Sequence, residues 1–231
     1  LFDNSIGIVF FIRMEKFEDS FKFKSWRDVL LKHNIKINSI KELHTVNKSN
    51  GDMLFTLVHI DAVDPDNHKL LPVVLIRGHF VAVVTCLIEK ETGNKYFLLV
   101  KQRRVANGDI FYEHPAGMCD SEPDPWKVAI KEVEEETGLK ITRDNLRLLH
   151  PDPLYSSAGL LDEAGFFFAC EITLSREEID TYRNKSAGAP DENEVIITHV
   201  CTLSEVFSLI RNTNGLLATY LYLQDVKGSV G

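Results

Sequence analysis

Three glutamates define the chemistry open to this chain. Glu132, Glu135 and Glu136 lie in Trp126 to Thr137, a stretch that holds neither Gly nor Pro and reads as a helix. At i, i+3 and i+4 they crowd one helix face, while Glu134 points elsewhere. Like charges this close cost stability, and a run of Glu on a helix is ordinarily a solvated face. Asp124 and Pro125 suit a cap and a first helical position, Gly138 suits a terminator, and Val128, Ala129, Ile130 and Val133 supply an apolar side. Upstream, Phe111 to Gly117 reads as a strand leading into a tight turn. A turn backbone beside a carboxylate cluster offers carbonyl and carboxylate oxygens together, the ligand set of hard divalent cations such as magnesium.

Gly117, Glu132, Val133, Glu135, Glu136, Gly138 and Leu139 stand at the spacing G-x5-E-x7-R-E-U-x-E-E-x-G-U, with U aliphatic. In this the sequence resembles the Nudix hydrolases. Two positions depart: Pro123 replaces the first Glu of the pattern, with Glu122 just before it, and Lys131 replaces Arg. That Glu and Arg support the metal site from behind; Lys keeps the charge and loses the planar fork. By resemblance the metal ligands are Glu132, Glu135, Glu136 and the backbone carbonyl of Ala116, the ion is Mg2+ with Mn2+ able to substitute, and Gly117 lies at the substrate. Gln102 and Arg104 match a Gln-x-Arg of sugar-nucleotide and ADP-ribose members, which implies that Arg104 touches the substrate's phosphates or terminal sugar. Ser157, Gly159 and Glu163 match a Ser-Pro-Gly-x-x-x-Glu substrate loop, with Ala158 in place of Pro. A Glu ahead of a late strand orients or deprotonates the attacking water in ADP-ribose and ADP-sugar pyrophosphatases; Glu192 is the first candidate here and Glu194 the second.

The elements that must carry these groups are legible in part. A turn at Asn47 to Asp52 precedes a strand at Met53 to Ile60, and Ser25 starts a helix that runs to His33. Leu70 to Ile88 is the most apolar stretch and reads as two strands divided at Arg77 to His79. Strands follow at Tyr96 to Val100, Leu146 to Leu149, Phe166 to Ile172 and Val195 to Leu203, with a short acidic helix at Ser175 to Arg183. Ser204 caps a helix over Glu205 to Arg211, and Leu216 to Leu223 forms the last. Ile6 to Ile12 reads as a strand and lacks the basic start and cleavage pattern of a signal peptide. The resemblance implies an α/β fold, the Nudix α/β/α sandwich with a mixed sheet, over 79–231. Residues 1–78 read as a small α+β accessory module for packing or dimerisation, resembling the one with which dimeric sugar-nucleotide pyrophosphatases often build the dimer, which implies a homodimer.

Composition narrows the functions. A chain of 231 residues, 44% hydrophobic, can bury a substantial core. A net charge of -8 without clustered Lys and Arg argues against a nucleic-acid groove, and so against RNA decapping. Cys86, Cys119, Cys170 and Cys201 form no CxxC pair, the habit of free thiols in a reducing compartment, cytoplasmic or organellar. No apolar run is long enough for a bilayer, so no membrane partner is expected. The implied activity is magnesium-dependent hydrolysis of a nucleoside diphosphate sugar to nucleoside monophosphate and sugar phosphate. ADP-glucose-like sugars and ADP-ribose stand ahead of UDP-glucose as substrates. The rival reading is a catalytically silent domain of the same family that binds a nucleotide sugar or a protein.

Overall fold

The structure, a computed structural model, describes residues 14–187 and 195–228. The expected strand Ile6 to Ile12 lies outside the described residues. Contacts divide the chain into one unit of Leu1–Gly78 with Ser157–Asp162, and a larger one of His79–Ser156 with Glu163–Gly231. Nothing in the sequence marks Ser157–Asp162 as belonging with the first unit, because its attachment is non-local.

In the smaller unit, helix α1 (Phe21–Lys32) starts ahead of the expected Ser25. The capping side chain is that of Ser20, whose hydroxyl accepts from the Phe23 N–H. The earlier start lets Phe23 pack with Phe17, Met53, Val58 and Ile76. Strands β1 (Lys36–Asn47), β2 (Met53–Val63) and β3 (Val73–Ile76) form an antiparallel sheet in that order. Strand β1 was not expected: most of it is exposed, so it lacks the alternation that betrays a half-buried strand.

The larger unit is built around β4 (Phe80–Glu89), whose apolar run is buried on both faces. Val81, Val83 and Leu87 point into one core, and Phe80, Ala82, Val84 and Cys86 into the other. The strands after it are β5 (Lys95–Arg103), β6 (Ile110–Glu113) and β7 (Ala116–Met118). Helix α2 (Pro125–Thr137) is followed by β8 (Leu146–Leu148), β9 (Leu154–Tyr155) and β10 (Ala164–Leu174). The chain ends through α3 (Arg176–Asp180), β11 (Ser186–Ala187), β12 (Ile196–Cys201), α4 (Leu203–Leu209) and α5 (Thr213–Gly228). The sheet order is β11-β12-β5-β4-β10-β8, mixed because β4 and β10 run parallel while their other neighbours are antiparallel. Val128, Ala129 and Val133 of α2 and Ile179 of α3 cover one face; Val206 of α4 and Ala218 and Tyr222 of α5 cover the other. The result is the expected α/β/α sandwich, and each large side chain so buried contributes about 1.5–3 kcal/mol.

Two local differences bear on the site. Phe111 to Gly117 is not one strand: β6 stops before His114 and Pro115, and β7 resumes at Ala116, pairing with β4 where β6 paired with β5. Proline cannot donate to a ladder, so the switch of partner falls there. Helix α4 begins at Leu203, since Thr202 and Glu205 form the capping box and Ser204 sits in the first turn.

Candidate active site

The metal-ligand candidates sit where α2 meets β7. Asp124 caps the helix, accepting from the Trp126 N–H at 3.1 Å, and Gly138 ends it in the left-handed region at φ 74°. Lys185 donates to the Thr137 carbonyl at 3.3 Å, a cation at the negative end of the helix dipole. Between these ends the carboxylates lie against the β7 backbone. The Ala116 N–H donates to Glu136 Oε2 at 2.9 Å, and Glu136 is buried. A β carbon on Gly117 would stand 2.1 Å from Glu132 Cδ and 2.4 Å from one of its oxygens. Only glycine permits that approach, so the residue type at 117 is explained by the position of Glu132. Glu135 is more exposed, at 41% of its side chain against 15% for Glu132. Carboxylate oxygens thus lie against the backbone of β7, and carboxylates are donors of the type a hard divalent cation takes.

Lys131 does not stand behind this cluster. Its Nζ lies 2.8 Å from Glu135 Oε2 and 3.7 Å from Glu132 Oε1, so it enters the acidic group as a cation. Glu122 accepts from the Asp124 N–H at 3.0 Å and lies 3.6 Å from Lys127 Nζ. Beside the cluster, burial and the negative charges of Asp120, Glu132 and Glu122 push the Cys119 thiol up to about 12, so it stays neutral.

Gln102 and Arg104 converge on a residue the sequence reading passed over. Glu113 Oε2 accepts from Arg104 Nε (2.9 Å) and Nη2 (2.6 Å) and from Gln102 Nε2 (3.4 Å). Its other oxygen accepts from Asn212 Nδ2 at 2.9 Å. The signal was present in the hairpin: Glu113 is opposite Val100 and Phe111 opposite Gln102, so alternate residues of β5 and β6 share a face. Arg104 keeps 43% of its side chain exposed while held at one edge, which leaves guanidinium N–H groups to bind an anion.

His114 joins this hairpin to α5. The Thr219 hydroxyl donates to the Gly215 carbonyl at 3.0 Å, which assigns the proton of the 2.9 Å His114–Thr219 contact to His114 Nε2. His114 Nδ1 is then a buried acceptor that finds no hydrogen-bond partner among the described residues. Burial holds the imidazole down at about 3.

The remaining candidates are distributed. Ser157 and Gly159 are exposed and belong to the smaller unit, whereas Glu163 is buried and immediately precedes β10 in the larger. Glu192 and Glu194 lie outside the described residues. A separate group, Asp64, Asp66 and His68, brings candidate ligand atoms within 4.8 Å of one another, in the turn after β2. Asp64 already accepts there from the backbone N–H groups of Asp66 and His68, at 2.9 and 2.8 Å, and contacts His68 Nδ1 at 3.2 Å. Turn formation accounts for the cluster.

The chain is 27% identical over 219 residues to Nudix hydrolase 14, chloroplastic, of Arabidopsis thaliana, spanning 88% of this chain and 70% of that protein. Over 78 residues it is 35% identical to putative nudix hydrolase 2 of Caenorhabditis elegans, 32% of either chain. A crystal structure of an ADP compounds hydrolase superposes with a TM-score of 0.55 at 15% identity, covering 84% of this chain and 95% of that one; the likeness is one of fold. The NUDIX domain profile matches residues 78–215, more than half of the chain, and the chain belongs to the Nudix family.

Proposed function

We propose that this chain is a magnesium-dependent Nudix hydrolase that cleaves the diphosphate bond of a nucleoside diphosphate sugar, yielding nucleoside monophosphate and sugar phosphate. The observation that carries the proposal is the docking of Glu132 and Glu136 onto the backbone of Gly117 and Ala116, beside a hairpin in which Glu113 holds Gln102 and Arg104. The fold likeness to a hydrolase of ADP compounds supports an ADP-linked substrate, ADP-ribose or an ADP-glucose-like sugar.

Members of this family generally use a divalent metal. Glu132, Glu135, Glu136 and the Ala116 carbonyl would hold Mg2+, with Mn2+ able to substitute. The bound ion would supply charge neutralisation at the diphosphate and a more acidic water. Arg104 binds phosphate or terminal-sugar oxygens, and Glu113 keeps its guanidinium from swinging away. Gly117 leaves room at the turn, while Ser157, Gly159 and Glu163 contact the sugar end. Glu192, or Glu194 in second place, takes the proton of the attacking water. Four free cysteines support work in a reducing compartment, cytoplasmic or organellar. Among the described residues no helix is long and apolar enough to cross a membrane.

The test is a turnover panel of ADP-ribose, ADP-glucose and UDP-glucose with magnesium. Release of nucleoside monophosphate from an ADP-linked member is expected. A nucleoside triphosphate completes the panel, and activity confined to it would refute the substrate class. One observation favours a second reading, a catalytically silent nucleotide-sugar or protein binder: Lys131 occupies the Glu132 and Glu135 carboxylates where the family pattern has Arg. That reading predicts binding without turnover across the whole panel.

A further inference from the structure

The carboxylates of α2 meet a strand of only three residues, and pairing alone holds it loosely. Among the described residues β7 pairs with β4 alone, through Ala116 with Ala82, Gly117 with Val81 and Met118 with Phe80. The Pro115 carbonyl lengthens that ladder by one bond, accepting from the Val83 N–H at 2.9 Å. A strand this short, bonded along one side, can pivot about its ladder, so its tilt has to be set by the layers above and below the sheet.

Successive residues of a strand face opposite layers. A β carbon on Gly117 would point at Glu132 of α2, whereas Ala116 and Met118 pack into the core that α5 covers. From the α2 side, the Glu136 carboxylate holds the Ala116 N–H at 2.9 Å. From the α5 side the counterpart is His114, buried, whose Nε2 donates to the Thr219 hydroxyl at 2.9 Å. Thr219 is a fixed point, since it is fully buried and its hydroxyl donates in turn to the Gly215 carbonyl of the same helix. The link from this anchor to the strand is stiff. His114 precedes a proline, which favours extended backbone there, and the Pro115 ring fixes the next φ; a displacement of the imidazole is therefore passed on to Ala116.

We propose that Thr219 is a positioning residue for the metal site: through His114 it sets the tilt of β7, the strand against which Glu132 and Glu136 dock. The inference rests on the reading of those glutamates as metal ligands. It makes divalent-metal affinity depend on a neutral hydroxyl of α5, in the layer on the other side of the sheet from the carboxylates.

The experiment titrates Mn2+ alone into the metal-free full chain by calorimetry. It compares the unchanged chain with Thr219→Val, which keeps the shape and removes the acceptor, and with Thr219→Ser, which keeps the hydroxyl. Thr219→Val is expected to bind manganese on the order of tenfold more weakly, and Thr219→Ser within about twofold of the unchanged chain. Affinity within about twofold of the unchanged chain in Thr219→Val overturns the proposal, as does equal weakening in Thr219→Ser. The second readout, amide hydrogen exchange without metal, is expected to quicken at Ala116 in Thr219→Val on the order of tenfold relative to Leu87 of β4. A merely structural role speeds both amides alike and leaves manganese affinity unchanged, which also overturns the proposal. If Thr219→Val does not fold, His114→Leu, which removes the donor of the same bond, is read against the same limits. An unchanged chain that takes up no manganese refutes the proposed function instead, and exchange at Ala116 then decides by itself whether Thr219 holds the strand.

Discussion

At the scale of single residues, the site depends on how closely two carboxylates approach a short strand. Glu132 leaves no room for a β carbon at Gly117, so Gly117→Ala must push that carboxylate away without disturbing the sheet. The variant is expected to bind magnesium or manganese about tenfold more weakly, with a melting temperature close to that of the unchanged chain; calorimetric titration and a thermal melt check both. Unaltered affinity would remove Glu132 from the ligand set. The positions of Gly117 and the three glutamates were readable because one strand-turn-helix unit fixes their types at short range. Glu113 was not. Its role comes from pairing across a hairpin and from Asn212 at the start of α5, and only the folded chain brings these together.

At the scale of elements, β6 and α5 are joined through the His114–Thr219 contact, which makes a pH-dependent clamp. The folded imidazole titrates at about 3 against the ordinary value of 6.5. Below about pH 6.5 the unfolded chain takes up a proton that the folded chain refuses, so stability is fully present above that pH and falls as pH drops toward 3. The contribution approaches about 1.4 kcal/mol per pH unit within this window. His114→Gln, which keeps an N–H for Thr219, is expected to flatten urea-unfolding stability between pH 6 and 4 by about one proton; an identical slope would show that His114 is not the titrating group. Elements with strong local signals were legible, among them α2 with its cap and terminator and the doubly buried β4. Strand β1 was hidden because exposure erased its alternation, and the start of α1 was misread because Ser25 is as good a cap by type as Ser20. There the packing of Phe17 and Phe23 decides, and no local rule contains it.

For the whole molecule, the sandwich follows from apolar runs that need cover on two faces, whereas the allegiance of Ser157–Asp162 to the smaller unit could not be read from order along the chain. In that unit, among the described residues, β1 lies at the edge of its sheet, with Leu43 48% exposed on it and Leu54 36% exposed on the neighbouring β2. Long edges carrying apolar side chains invite pairing, and we propose a second copy as the partner. Sedimentation equilibrium at micromolar concentration should give twice the chain mass of 26.2 kDa; a single-chain mass throughout would discard the homodimer.

The proposed hydrolysis depends on the α2 carboxylates acting as metal ligands. The most direct check is a magnesium titration of ADP-linked sugar hydrolysis by the unchanged chain and by Glu135→Gln. The predicted result is saturable magnesium dependence in the first, and in the second a rate lower by about a hundredfold with saturation shifted to higher metal. Equal rates and equal magnesium dependence in both would contradict it.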